Sequence, residues 1–255
     1  ESWNVHYDEG TNTLYLNGAT ITASSDSNNN TSNAGIYATA SEGQSVSLNI
    51  VLQGENNKVS GDIGIYVYSS PTGIASLTIS SENGSNLTAS GIVNPGIKVQ
   101  SNGGDATLTI RNADVEAKVT TSGSNGVTVQ AGSSSSASLT VEGGSLTASG
   151  RKGILFPAGN PKLKVDDSAI VRASNGIGAG INEGSVTPDG TGIVFDADRG
   201  TVYGSVTLQD DLEIGEGESL KLDDGASLDA GGHNVIVDGG TLGESLAGSL
   251  GGSVI

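Results

Sequence analysis

The sequence predicts an all-β fold: a single-stranded, right-handed parallel β-helix with three short strands per coil. Three observations predict it. Val, Ile, Leu and Ala alternate with polar residues in many short runs. One run, Gly-apolar-x-apolar, recurs along the chain. In the last third, every third strand repeats after 22 or 23 residues: Val206 to Leu228, Leu212 to Val235, Leu220 to Leu242. A strand of three or four residues cannot bury its apolar face alone, whereas stacking coils at ~4.8 Å pairs every strand edge above and below. About nine coils at that spacing make a rod of about 40–45 Å, and right-handedness follows the usual preference of parallel crossovers.

The first strand of each coil begins at Gly35, Gly64, Gly96, Gly126, Gly153 and, more weakly, Gly176, in steps of 29, 32, 30, 27 and 23 residues. Its inward ladder is Ile36, Ile65, Ile97, Val127 and Ile154. The second strand carries Leu48, Leu77, Leu108, Leu139 and Leu163, and the third carries Ile21, Val59, Leu87, Val115, Leu146 and Val171. Turns rich in Gly, Asn, Asp and Ser separate them. A propeller blade needs a longer repeat, a sandwich lacks register between every third strand, and the calcium β-roll motif is absent. The chain is read as one domain over residues 1–255. Residues 1–34 form an N-terminal cap built on Trp3 to Tyr7 together with the first coil. Long-loop coils span 35–180 and short-turn coils 181–242, and a tail at 243–255 either covers the last coil or leads to more protein.

Composition narrows function. There is no Cys and only His6 and His233, so disulfide frameworks, thiolate metal sites and His-centred triads drop out. Eleven basic against 28 acidic residues give a net charge of −17, which opposes nucleic-acid binding. No apolar run is long enough for a membrane helix, so no membrane insertion is expected. The chain opens at Glu1 without Met, as expected of a trimmed mature fragment.

The opening Thr13-Leu14-Tyr15-Leu16-Asn17-Gly18-Ala19-Thr20-Ile21 is followed by Gly-Ile, Ser-Leu-Thr-Ile and Leu-Thr-Ala-Ser-Gly segments. It resembles β-helical modules of secreted and cell-surface proteins of clostridial-type bacteria, some labelled carbohydrate-binding, and more distantly the pectate lyase fold. The resemblance implies a secreted or cell-wall location in a bacterium and a glycan partner. No catalytic residue or metal ligand carries over by position.

The residues themselves offer three candidate sites. Tyr37, Tyr66 and Tyr68 fall at outward positions of the first-strand ladder, with Lys98 next in line and Gln100 and Gln130 below. Aromatics in register form a flat stripe suited to stacking on sugar rings. The competing expectation is that long loops, above all Thr22 to Gly35, fold over the stripe. Lys164 and Arg172 point outward in a stretch that also holds Arg151, Lys152 and Lys162, where they either grip uronate carboxylates or are simply solvated. Asp166-Asp167 and Asp223-Asp224 sit in expected turns and are the candidate ligands for calcium, which takes carboxylates and turn carbonyls. No cofactor is required, and polygalacturonase-like Asn-Thr-Asp, His-Gly and Arg-x-Lys segments are absent. The expectation is a non-catalytic, monomeric module of a larger surface protein that binds polysaccharide or host glycan on an outer face. The alternatives are a structural stalk and a polysaccharide lyase or hydrolase.

Overall fold

The computed structural model describes residues 4–24, 33–121, 123–180, 184–250 and 254–255. Trp3 of the expected cap and residues 25–32 of the expected covering loop lie outside the described residues. In chain order the strands begin with β1 (Val5–Asp8), β2 (Thr13–Asn17), β3 (Thr20–Thr22), β4 (Ala34–Thr39), β5 (Val46–Gln53) and β6 (Asn57–Gly61). Then come β7 (Ile63–Ser69), β8 (Ala75–Ser81), β9 (Asn86–Gly91), β10 (Ile97–Ser101), β11 (Ala106–Val119) and β12 (Val127–Gln130). Next are β13 (Ser136–Ser149), β14 (Ile154–Phe156), β15 (Asn160–Ala173), β16 (Ile177–Ala179), β17 (Pro188–Asp196) and β18 (Arg199–Tyr203). The last are β19 (Ser205–Thr207), β20 (Leu212–Ile214), β21 (Ser219–Leu222), β22 (Ser227–Asp229), β23 (Val235–Val237) and β24 (Thr241–Leu242), followed by one short helix, α1 (Glu244–Leu250).

The fold is all-β and dominated by long parallel sheets, as a helical winding of strands requires. Ile36, Ile65, Ile97, Val127, Ile154 and Ile177 are successive parallel partners on the first face. Leu48, Leu77, Leu108, Leu139 and Leu163 do the same on the second. Ile21, Val59, Ala89, Ala117, Ala148 and Ala173 do so on the third. Nearly all of these are buried in one continuous core. β11, β13 and β15 run unbroken through the corner between the second and third faces. They bend where Asn112, Gly143-Gly144 and Asp167-Ser168 take positive φ, a conformation that only Gly and small polar residues adopt cheaply.

The glycine opening each first strand has a steric cause. A Cβ on Gly96 would lie 2.5 Å from the Ala89 carbonyl oxygen and 2.6 Å from the Lys118 nitrogen; one on Gly126 would lie 2.5 Å from the Ser149 nitrogen. The corner between the third and first faces is closed by backbone against backbone.

The expected uninterrupted parallel register breaks at β17. That strand pairs parallel with β15 on one side and antiparallel with β18 on the other. Val194 faces the first core, whereas its neighbours Ile193 and Phe195 belong to a second core with Val202, Leu212, Leu220 and Val235. Beyond β18 the chain winds again, and the expected partners Val206–Leu228, Leu212–Val235 and Leu220–Leu242 are all in parallel register. The tail covers this winding: Leu246 and Leu250 of α1 are buried in the second core, and Val254 bridges Val235. At the other end β1 folds back antiparallel on β2.

Candidate functional site

The first face carries the tyrosines on its outer side. Tyr37, Tyr66 and Lys98 are consecutive rungs of one ladder; Thr39, Tyr68, Gln100 and Gln130 form the next. The rings of Tyr37 and Tyr66 stack with centroids 5.4 Å apart, and those of Tyr66 and Tyr68 are tilted at 5.8 Å. The Lys98 ammonium lies 5.0 Å from the Tyr66 ring centroid, within cation–π range. The Tyr66 hydroxyl donates to Gln100 Oε1 (3.1 Å), Gln100 Nε2 donates to Asn102 Oδ1 (2.8 Å), and Asn102 Nδ2 donates to the Tyr68 hydroxyl (2.9 Å). Burial pushes the Tyr66 phenol above its ordinary range, with the Tyr37 and Tyr68 phenols adding to the shift; burial likewise lowers the Lys98 ammonium.

The stripe is therefore not uniformly exposed. Tyr66 is 4% exposed and Tyr37 43%. Two neighbouring rings and a lysine stem close over Tyr66, so its face is spent inside the cluster and Tyr37 presents the outer ring. Beside Tyr37 runs a groove of about 490 Å³ floored by Leu14, Ile36 and Leu48, with Thr39 and Ser47 along it. Tyr7, 48% exposed, lines it too. Tyr7 is opposite Leu14 in the β1–β2 hairpin, and its hydroxyl donates to Asn12 Oδ1 (3.2 Å). The sequence pattern places Tyr7 in a cap; the antiparallel β1–β2 pairing that brings it to the same groove as Tyr37 departs from the parallel register of the coils.

The basic candidates do not join this group. Lys164 is ion-paired with Asp166 on its own strand, and Asp166 also accepts from Thr191 Oγ1 at 3.4 Å. The Lys164 bond holds the Asp166 carboxyl below its ordinary range and the Lys164 ammonium above its own. Arg172 is bound through Nη1 to Glu218 Oε1 and through Nη2 to the Glu213 carbonyl, both at 2.5 Å, and its guanidinium lies 3.9 Å from the Phe195 ring centroid. It ties the first winding to the second.

Asp167, at positive φ, occupies the bulge of β15, and Asp223-Asp224 form an exposed turn in which Ala226 N donates to the Asp223 carbonyl (3.0 Å). Among the described residues no three acidic or His side chains gather as a metal-holding group, and no helix is long and apolar enough to cross a membrane.

No family model, curated protein or solved structure matches this chain.

Proposed function

We propose that the chain is a non-catalytic, extracellular or cell-surface module, a right-handed parallel β-helix of about nine coils at the ~4.8 Å strand spacing. It binds polysaccharide or host glycan on its outer side. One observation carries the reading: the exposed Tyr37 ring, stacked on Tyr66, lines one groove together with Tyr7, the apolar Leu14, Ile36 and Leu48, and the hydroxyls of Thr39 and Ser47. A rigid aromatic wall with few polar groups suits the apolar face and hydroxyl edge of a pyranose. The resemblance of the Thr13–Ile21 opening to secreted β-helical modules agrees with it, and calcium is optional.

A broad glycan array, run with and without calcium, tests this. Tyr37→Ala should weaken any hit at least about tenfold, the effect of losing an aromatic anchor worth ≥ 1.4 kcal/mol. Tyr7→Ala should weaken it in the same direction. Retention of full signal by both variants refutes the groove. A second reading, a structural spacer, is favoured by the burial and satisfied hydrogen bonds of Tyr66, and it predicts an array with no hit in either condition.

A further inference from the structure

Where the two windings meet, the sheet β17–β18–β21 buries one side in the second core through Phe195, Val202 and Leu220. Its other side turns toward the end of the first core, where Val194 is buried and Tyr203 packs. A hollow of about 180 Å³ lies there. Ile177, Val186, Pro188 and Val194 give it an apolar lining, continuous with the first core through Ile177 and Val194. Its polar lining is Asp196, Arg199, Thr201, Tyr203 and Lys221. Strand register brings these side chains together. Arg199, Thr201 and Tyr203 alternate with the buried Gly200 and Val202, so all three project to one side. Asp196 is the cross-strand partner of Arg199, Val194 that of Thr201, and Lys221 is the next rung beyond Thr201.

The two cations are uncommitted in a chain with acid to spare. Acidic residues outnumber basic ones 28 to 11, and Arg111, Lys118, Lys164 and Arg172 each hold a carboxylate. Arg199 and Lys221 make no hydrogen bond or ion pair among the described residues. Both also line an adjoining hollow of about 330 Å³, so they stand as the wall between two open spaces. Asp196 is half committed: Oδ1 accepts from the Ile177 nitrogen at 2.7 Å, which fixes the side chain, and Oδ2 takes no bond among the described residues. Lys152 shares with Asp196 the space beside Gly176 but lines neither hollow. Burial raises the Tyr203 phenol above its ordinary range, with the Asp223 carboxylate adding to the shift, so it stays a protonated donor.

Both signs of charge thus converge on one apolar hollow, and this restricts its ligand. A bare anion would enter against the field of a chain of charge −17, and a bare cation would meet Arg199 and Lys221. A zwitterion of no net charge meets neither obstacle. We propose that the hollow binds a free amino acid with an aliphatic side chain. The carboxylate lies on Arg199 and Lys221, where the guanidinium fork suits it. The ammonium lies on Asp196 Oδ2, and the side chain lies among Ile177, Val186, Pro188 and Val194. A mostly apolar hollow with a few convergent polar groups, set where two folded units meet, is the ordinary form of a small-molecule site. It stands at the opposite end of the first winding from the Tyr7–Tyr37 groove and is independent of it.

Titration of the whole chain with leucine, followed by NMR through its amide shifts, tests the assignment. Leucine should move the amides of Ile177, Thr201 and Lys221 along a saturable curve. Three analogues dissect the site on the unaltered protein: isocaproate lacks the ammonium, leucinamide lacks the carboxylate, and glycine lacks the side chain. The first two should each bind about tenfold or more weakly, as the loss of a charge-assisted hydrogen bond requires, and glycine about tenfold or more weakly for its lost apolar burial. Asp196→Asn keeps an acceptor for the Ile177 nitrogen and removes the charge; Arg199→Gln with Lys221→Gln removes both cations from exposed positions. Each variant should lose about tenfold in leucine affinity, with the amide shifts from Ile97 to Val171 unchanged. Tyr37→Ala should leave leucine binding intact, which separates this outcome from that of the tyrosine groove. Absence of a saturable shift, an analogue that binds as tightly as leucine, or either charge variant with undiminished affinity overturns the proposal.

Discussion

At Tyr66 an outward-pointing side chain is sealed by what the adjacent coils place beside it: the Tyr37 ring on one side, the Lys98 ammonium on the other and Tyr68 along the strand. The two titrating groups respond to this burial with opposite signs. The Tyr66 phenol is raised above its ordinary 10.0, so above about pH 10 the folded chain holds a proton that the unfolded chain releases. Stability from this group is fully present below that pH and is lost as pH rises further. Lys98 is lowered from 10.5, so between its depressed value and 10.5 the unfolded chain holds more protons and stability rises with pH. Tyr66→Phe isolates the phenol. At neutral pH it removes the bond to Gln100 and costs about 1 kcal/mol. Above pH 10 the wild type alone suffers the ionisation penalty, and the gap between the two urea midpoints should narrow. Parallel midpoint curves across that range would show that the phenol titrates normally. None of this was legible in the sequence, where alternation marks Tyr66 as outward and says nothing about which rungs roof it.

The strands themselves were legible to a large extent, because inward residues on a two-residue period must be apolar for a thin winding to have a core. Leu48 through Leu163 and Ile36 through Ile154 fall where the period puts them. β17 breaks this rule: Ile193, Val194 and Phe195 are apolar in succession, the mark of a strand covered on both faces. That signal was present but hidden among short-turn strands of similar composition. Lys164 and Arg172 both point outward, but Lys164 is occupied by Asp166 two residues on along its own strand, and Arg172 by Glu218 of the second winding, a long-range partner that no local pattern reports. The corner glycines give the sharpest test at this scale. Gly96→Ala drives a methyl into fixed backbone from two coils and should cost about 2–3 kcal/mol, as overpacking does. Gly84→Ala meets nothing within 4 Å and strains only its positive φ of 69°, for about 1 kcal/mol. Equal losses of urea stability in the two variants would mean that the corner yields.

In the whole molecule, two cores meet across β17 and its neighbours β15 and β18, and this decides how stability is distributed. A solenoid couples each coil mainly to its neighbours, so its parts can open separately unless an interface binds them. Here the interface centres on β17, with Ile170 of β15 packed on the second core and Tyr203 of β18 on the first, and it is reinforced by Arg172 reaching across to Glu218 and stacking on Phe195. Adjacent residues therefore report on different halves. Val194→Ala leaves a void in the first core and should cost about 2 kcal/mol. Phe195→Ala empties the second core and removes the ring under Arg172, for about 3–5 kcal/mol. Hydrogen exchange should then show Val194→Ala lowering protection mainly on the ladders from Ile97 to Val171, and Phe195→Ala lowering it mainly from Val202 to Leu246. If either substitution lowers protection evenly along the chain, the shared strand fuses the halves into one cooperative unit, and the boundary at β17 is topological without being energetic.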